Sequence, residues 1–98
     1  MASAKRPQVT PLQEGELVDT KQMVAGEGVN WPRHKASTES VLIVTEGGCV
    51  VVFDDSEHPL ATGESLIIPA DTWHEIQANP AFTATHIMPK GLRVTFSA

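Results

Sequence analysis

The sequence predicts an all-β domain, a closed barrel or sandwich of eight or nine short strands. Three observations predict it. No segment keeps an apolar period of about 3.6 residues, so no helix is expected. The β-branched and aromatic clusters are short. Glycine, proline, asparagine and aspartate punctuate them at close spacing, as turns between strands require. A closed or doubled sheet follows, because it removes or protects the strand edges that so many short strands would expose.

Taken in chain order, Glu16 to Val24 and Val29 to Lys35 read as strands on either side of the loop Ala25-Gly26-Glu27-Gly28. Val41 to Thr45 and Cys49 to Phe53 are the clearest strands. Glu46-Gly47-Gly48 between them predicts a hairpin, since glycines accept positive φ. Asp54-Asp55-Ser56 is the next turn, followed by a strand from His58 to Ala61 and a turn at Thr62-Gly63-Glu64. Ser65 to Ile68 stops at Pro69, which has no N–H for a ladder. Thr72 to Gln77 and Phe82 to Met88 read as two strands around an Ala78-Asn79-Pro80 turn, and Leu92 to Phe96 is the last strand.

The 98 residues form one domain, 1–98, with 1–14 as an N-terminal arm and 15–98 as the barrel. A net charge of −5 argues against nucleic acid, because phosphate binding needs a basic footprint. No apolar run approaches the ~20 residues that span a bilayer. Lys5-Arg6 is not followed by an apolar stretch, so a secretory signal is not expected and the protein is placed in the cytoplasm. The single cysteine, Cys49, has no intramolecular disulfide partner, which suits a reducing compartment. It is read as a buried, inert thiol, with no cationic neighbour in sequence to activate it.

Two segments together resemble the paired motifs of the cupin superfamily. In the first, five residues separate Gly28 from His34, and Glu46-Gly47 closes the segment. In the second, Gly63, Pro69 and His74 fall at matching spacings, with Asp71 where the family has a second glycine. The resemblance spans residues 28 to 79 and implies a cupin-type double-stranded β-helix, or jelly-roll barrel, in a small bacterial-type member of the cupin 2 kind. It places His34 at the first ligand position and His74 at the last. The other two ligand positions fall on Ala36 and Ser40, so the metal motif is degenerate. The expected pocket is lined by His34, His74, His86, Ser40 and Ala36.

His34, His74 and His86 are the metal-ligand candidates, for a divalent Zn, Fe, Mn or Ni ion. His86 is included because it alternates with Phe82, Ala84 and Met88 on the more apolar face of its strand. Glu39 lies one residue from a ligand position, and strand alternation aims it away from His34's side. By the same parity Trp73 opposes His74, whereas Pro32 leaves the direction of Trp31 open. Val41 to Val44 and Val50 to Phe53 are apolar on both faces, which predicts a homodimer that covers one of them. Two functions remain open. One is a cupin barrel that binds a small molecule, with or without a divalent metal, and whose chemistry the sequence does not name. The other is a non-enzymatic sensor or binding module with a vestigial metal site.

Overall fold

A computed structural model describes residues 7–97. It is built from strands, with no helix among the described residues: β1 (Gln8–Glu14), β2 (Val18–Ala25), β3 (Asn30–Ala36), β4 (Ser40–Phe53), β5 (Glu57–Ala61), β6 (Ser65–Ile68), β7 (His74–Pro89) and β8 (Val94–Phe96). All the pairings are antiparallel. None of the elements is a helix long and apolar enough to cross a membrane, among the residues described. The Lys5-Arg6 pair and the start of the expected arm lie outside the described residues. The rest of that arm, Gln8 to Glu14, is strand β1 and pairs with β2.

Two long strands organise the fold. β4 and β7 pair along most of their length, from Val41 opposite Ile87 to Phe53 opposite His74. Each contributes to two faces of a folded-over sheet. On one face the order is β1, β2, the second half of β7, the first half of β4, and β6. On the other it is β8, β3, the first half of β7, the second half of β4, and β5. This is the all-β barrel that the resemblance implied.

The predicted hairpin at Glu46-Gly47-Gly48 does not form. The glycines lie inside β4, where the register with β7 slips between Val44 and Glu46 and again between Gly47 and Cys49. Ala78-Asn79-Pro80 likewise lies inside β7 rather than ending it. Both segments are corners at which a strand passes from one face to the other. Corners need the same backbone freedom as turns, which is why their composition is the same. Gly47 has φ of 78°, and a Cβ there would sit 2.1 Å from the carbonyl oxygen of Ala81. The glycine lets the two corners cross in contact.

Alternation fills the space between the faces. Before the corner of β4, Ser40, Leu42 and Val44 point inward; after it, Cys49 and Val51 do. The slip of register changes the parity, so one strand presents apolar side chains to the interior on both sides of its bend. Leu42, Val44, Cys49, Val51 and Ile76 are fully buried. Each such aliphatic side chain contributes roughly 1.5–3 kcal/mol by burial. Cys49 is a free buried thiol as expected, and burial pushes its pKa up to about 11. It is neither a nucleophile nor a ready thiolate ligand. The outward residues Val41, Ile43, Val50 and Val52 are only half-buried.

Candidate functional site

One end of the core is hollow. A cavity of ≈ 290 Å³ is lined by side chains from seven of the eight strands, all but β5. It contains all five residues expected in the pocket: His34, Ala36, Ser40, His74 and His86. Local structure explains the convergence. His34 and Ala36 alternate inward on β3, with Arg33 and Lys35 turned to the outer face. His34 pairs directly with His74 across the β3–β7 ladder. Ser40 opens β4 beside Ile68. His86 lies opposite Leu42 on one side and Lys21 on the other.

The His34 and His74 rings are 4.3 Å apart between centroids, at 55° to one another. Both residues are buried. Each ring is anchored through Nδ1, which lies 2.6 Å from the Pro32 carbonyl in His34 and 2.8 Å from the Thr72 carbonyl in His74. A carbonyl only accepts, so Nδ1 carries the proton in both rings. In the neutral imidazole Nε2 is then left as an acceptor. Phe96 packs on His34 at 5.7 Å and Phe53 on His74 at 5.9 Å, which fixes the ring planes further. The turn before His74 is held by Asp71, whose φ of 53° suits the position where the motif has glycine. Its N–H donates to the Ala36 carbonyl at 2.7 Å, tying the two motif segments together.

His86 is different. Its Nε2 is buried and has no hydrogen-bond partner within the protein. Burial first, then the positive charges that His34, His74 and Lys21 bring near, lower its pKa to about 4. Burial also lowers that of His74, opposed by the Thr72 hydrogen bond and aided by His34. The unfolded chain protonates both near the ordinary value of 6.5. Stability is therefore complete above about pH 6.5 and is lost as pH falls toward 4, because protons bind the unfolded chain more tightly. His86 alone accounts for ~3 kcal/mol of that loss. Urea unfolding midpoints between pH 8 and 4 check this, with His86→Leu expected to flatten the profile. A wild-type profile that is no steeper than that of the variant contradicts the assignment.

The sequence missed several contributors. Lys21, Met23, Trp31, Val94 and Phe96 also line the cavity. Lys21 was legible in principle: it alternates with buried Met23 and Ala25, which sets its phase inward. Trp31 turns inward because the β3–β7 register shifts between Trp31 and His34, at Pro32. Trp73 lies outside as parity required, with the Arg33 guanidinium 4.7 Å and the Lys35 ammonium 4.9 Å from its ring centre. Arg33 also pairs with both carboxylate oxygens of Asp54 at 3.0 Å. Glu39 is exposed and not part of the cavity.

A resident divalent metal needs three or more protein donors in reach of one point. Among the described residues no group of three His, Cys, Asp or Glu side chains is placed to hold an ion. The expected third donor, His86, shares the cavity with His34 and His74 but does not complete a three-donor set. Ala36 and Ser40 stand at the other motif positions and supply no strong donor. The residues present therefore do not fit a resident metal, and what they form is a pair of anchored imidazoles in a largely apolar chamber.

Comparison with known proteins agrees with this architecture. A family model described as a cupin domain matches residues 20–88. No curated protein matches the chain. A cupin superfamily protein from Desulfitobacterium hafniense superposes with a TM-score of 0.80 at 19% identity, over 91% of this chain and 82% of that one. A cupin-2 domain containing protein from Shewanella frigidimarina gives 0.77 at 24%, over 85% and 80%. Salicylate 1,2-dioxygenase from Pseudoaminobacter salicylatoxidans, solved as adducts with gentisate, gives 0.85 at 12%; all of this chain covers 30% of that one. The family match extends from β2 to the end of β7 and takes in both histidine-bearing segments: the chain belongs to the cupin domain family.

Proposed function

We propose that this protein binds a small molecule inside the barrel and does so without a resident metal. The observation that carries the reading is the buried His34–His74 pair, fixed through Nδ1 and facing the ≈ 290 Å³ cavity with apolar walls. Small-molecule sites are concave and mostly apolar, with a few fixed polar groups that orient the ligand. The pair supplies those groups at no cost in ligand-induced ordering. Binding is thus the primary activity, and the metal motif is vestigial in the sense that its first and last positions now serve as hydrogen-bonding groups.

The test is protein-observed NMR with a set of small heteroaromatic and aliphatic fragments, on protein treated with a chelator. The expected hits shift the ring signals of His34 and His74 and the indole of Trp31. Fragments that bind only elsewhere, or only after metal is restored, contradict the reading.

The proposal includes a cytoplasmic homodimer. Its supports are the lone buried thiol and the exposed apolar side chains Leu17 and Ile67, which a partner copy would cover. Light scattering at high micromolar concentration is expected to return twice the mass of 10.6 kDa, and a monomer mass contradicts it.

A further inference from the structure

Charge is distributed unevenly between the surface and the cavity. The chain carries 12 acidic residues and a net charge of −5, yet no aspartate or glutamate lines the cavity. The cavity wall does contain a lysine, Lys21. Its place is set by β2, where it pairs with His86 on β7 and precedes Met23 on the inward face. Among the described residues the ion pairs are Arg33–Asp54 and Lys90–Asp19; Lys21 has none. A lysine in the wall of a largely apolar chamber, with no ion-pair partner among the described residues, attracts anions, and does so more strongly than it would in open water.

The other polar groups restrict the anion further. His34 and His74 hold their Nδ1 protons toward backbone carbonyls, so the Nε2 of each ring, in its neutral form, is the acceptor left for a ligand. Two acceptors in a buried site call for a donor on the ligand, a hydroxyl or an N–H. Most of the remaining wall is apolar, including Met23, Trp31 and Leu42, with Ser40 and His86 the other polar residues in it. Val9, Val94 and Phe96 line the cavity and are exposed, so they form an apolar rim that a flat organic body would cross.

We infer that the cavity takes a small organic carboxylate with a flat apolar body and a hydroxyl or N–H donor, and that Lys21 recognises its carboxylate. This rests on the reading of the cavity as a binding site. Lys21 is the charge-selecting residue, the His34–His74 pair takes the donor, and the apolar walls hold the body. A negative surface around a positively lined cavity slows capture of anions but leaves the selection to Lys21 once the molecule is inside.

The experiment compares 3-hydroxybenzoate with its neutral isostere 3-hydroxybenzamide, by calorimetry and by NMR, on the wild-type protein and on Lys21→Met. Methionine keeps the length and the packing of the stem and removes the charge. The wild type is expected to bind the carboxylate at least about tenfold more tightly than the amide. Lys21→Met is expected to bring the carboxylate down to the level of the amide, with the dispersion of the variant's backbone NMR signals reporting that it is folded. Equal affinity of the two compounds for the wild type overturns the inference and leaves the binding site standing. So does a Lys21→Met variant that keeps the preference. Failure of both compounds to shift cavity signals in the wild type at millimolar concentration overturns the inference together with the reading on which it rests.

Discussion

Gly47→Ala is expected to lose most of the stability of the fold, whereas Gly63→Ala is expected to lose little. Both glycines have positive φ, 78° and 88°. A left-handed backbone costs an alanine roughly 1–2 kcal/mol at either position. Only Gly47 adds a clash: its Cβ would come within 2.1 Å of the Ala81 carbonyl oxygen and 3.1 Å of the Phe82 Cα, whereas nothing lies within 4 Å at Gly63. The clash is with backbone, so the β4 and β7 corners must move apart to relieve it. That separates the pairs Glu46–Thr83 and Gly47–Phe82 and opens the core near Val44 and Ala84. A protein of this size has only ~5–15 kcal/mol to lose. Chemical denaturation of the two variants decides it. Equal midpoints would mean that the corner crossing is not the constraint that selects glycine.

Ala36→Phe is expected to abolish cavity binding while leaving the barrel folded. Ala36 is buried on β3, two residues after His34, and faces the cavity. A benzyl group there projects into the ≈ 290 Å³ chamber rather than into packed core, so the usual overpacking cost of ~1–3 kcal/mol is largely avoided. The space between the histidine pair and the apolar wall is then filled. Fragment affinity should fall by at least about a hundredfold, equivalent to ~2.7 kcal/mol. The thermal midpoint should stay near that of the wild type. Retained affinity in a folded variant would move the binding site away from the barrel interior.

The fold was legible from short β-rich runs broken by turn residues, and from the glycine, proline and histidine spacings between Gly28 and Asn79. What those signals could not separate was a turn from a corner. Gly47-Gly48 and Asn79-Pro80 carry turn composition, yet both lie within strands. The difference depends on which strand crosses opposite, and local sequence does not encode that. The histidines were legible for two reasons. His34 and His74 sit at fixed offsets within motif segments, and His86 keeps the phase of Phe82 and Ala84. Trp31 was not, because the shift at Pro32 breaks the alternation that would have assigned it. Lys21 was overlooked because a lysine within a strand is ordinarily read as facing solvent, and only its phase with Met23 says otherwise. Convergence of the imidazoles on one point has the same dependence on distant strands. Spacing put three imidazoles in one chamber, but whether three lone pairs meet at one point depends on ring orientation, which spacing does not encode, and among the described residues no three-donor group forms.

The most direct measurement is a crystal structure of chelator-treated protein grown with 3-hydroxybenzoate, with diffraction data also collected at metal absorption edges. The expected result is density for the compound inside the barrel, its hydroxyl in hydrogen-bonding reach of His34 and His74, and no anomalous peak between the two rings. Density confined to the outer surface, or a metal ion bridging His34 and His74 with a third protein ligand, would contradict it.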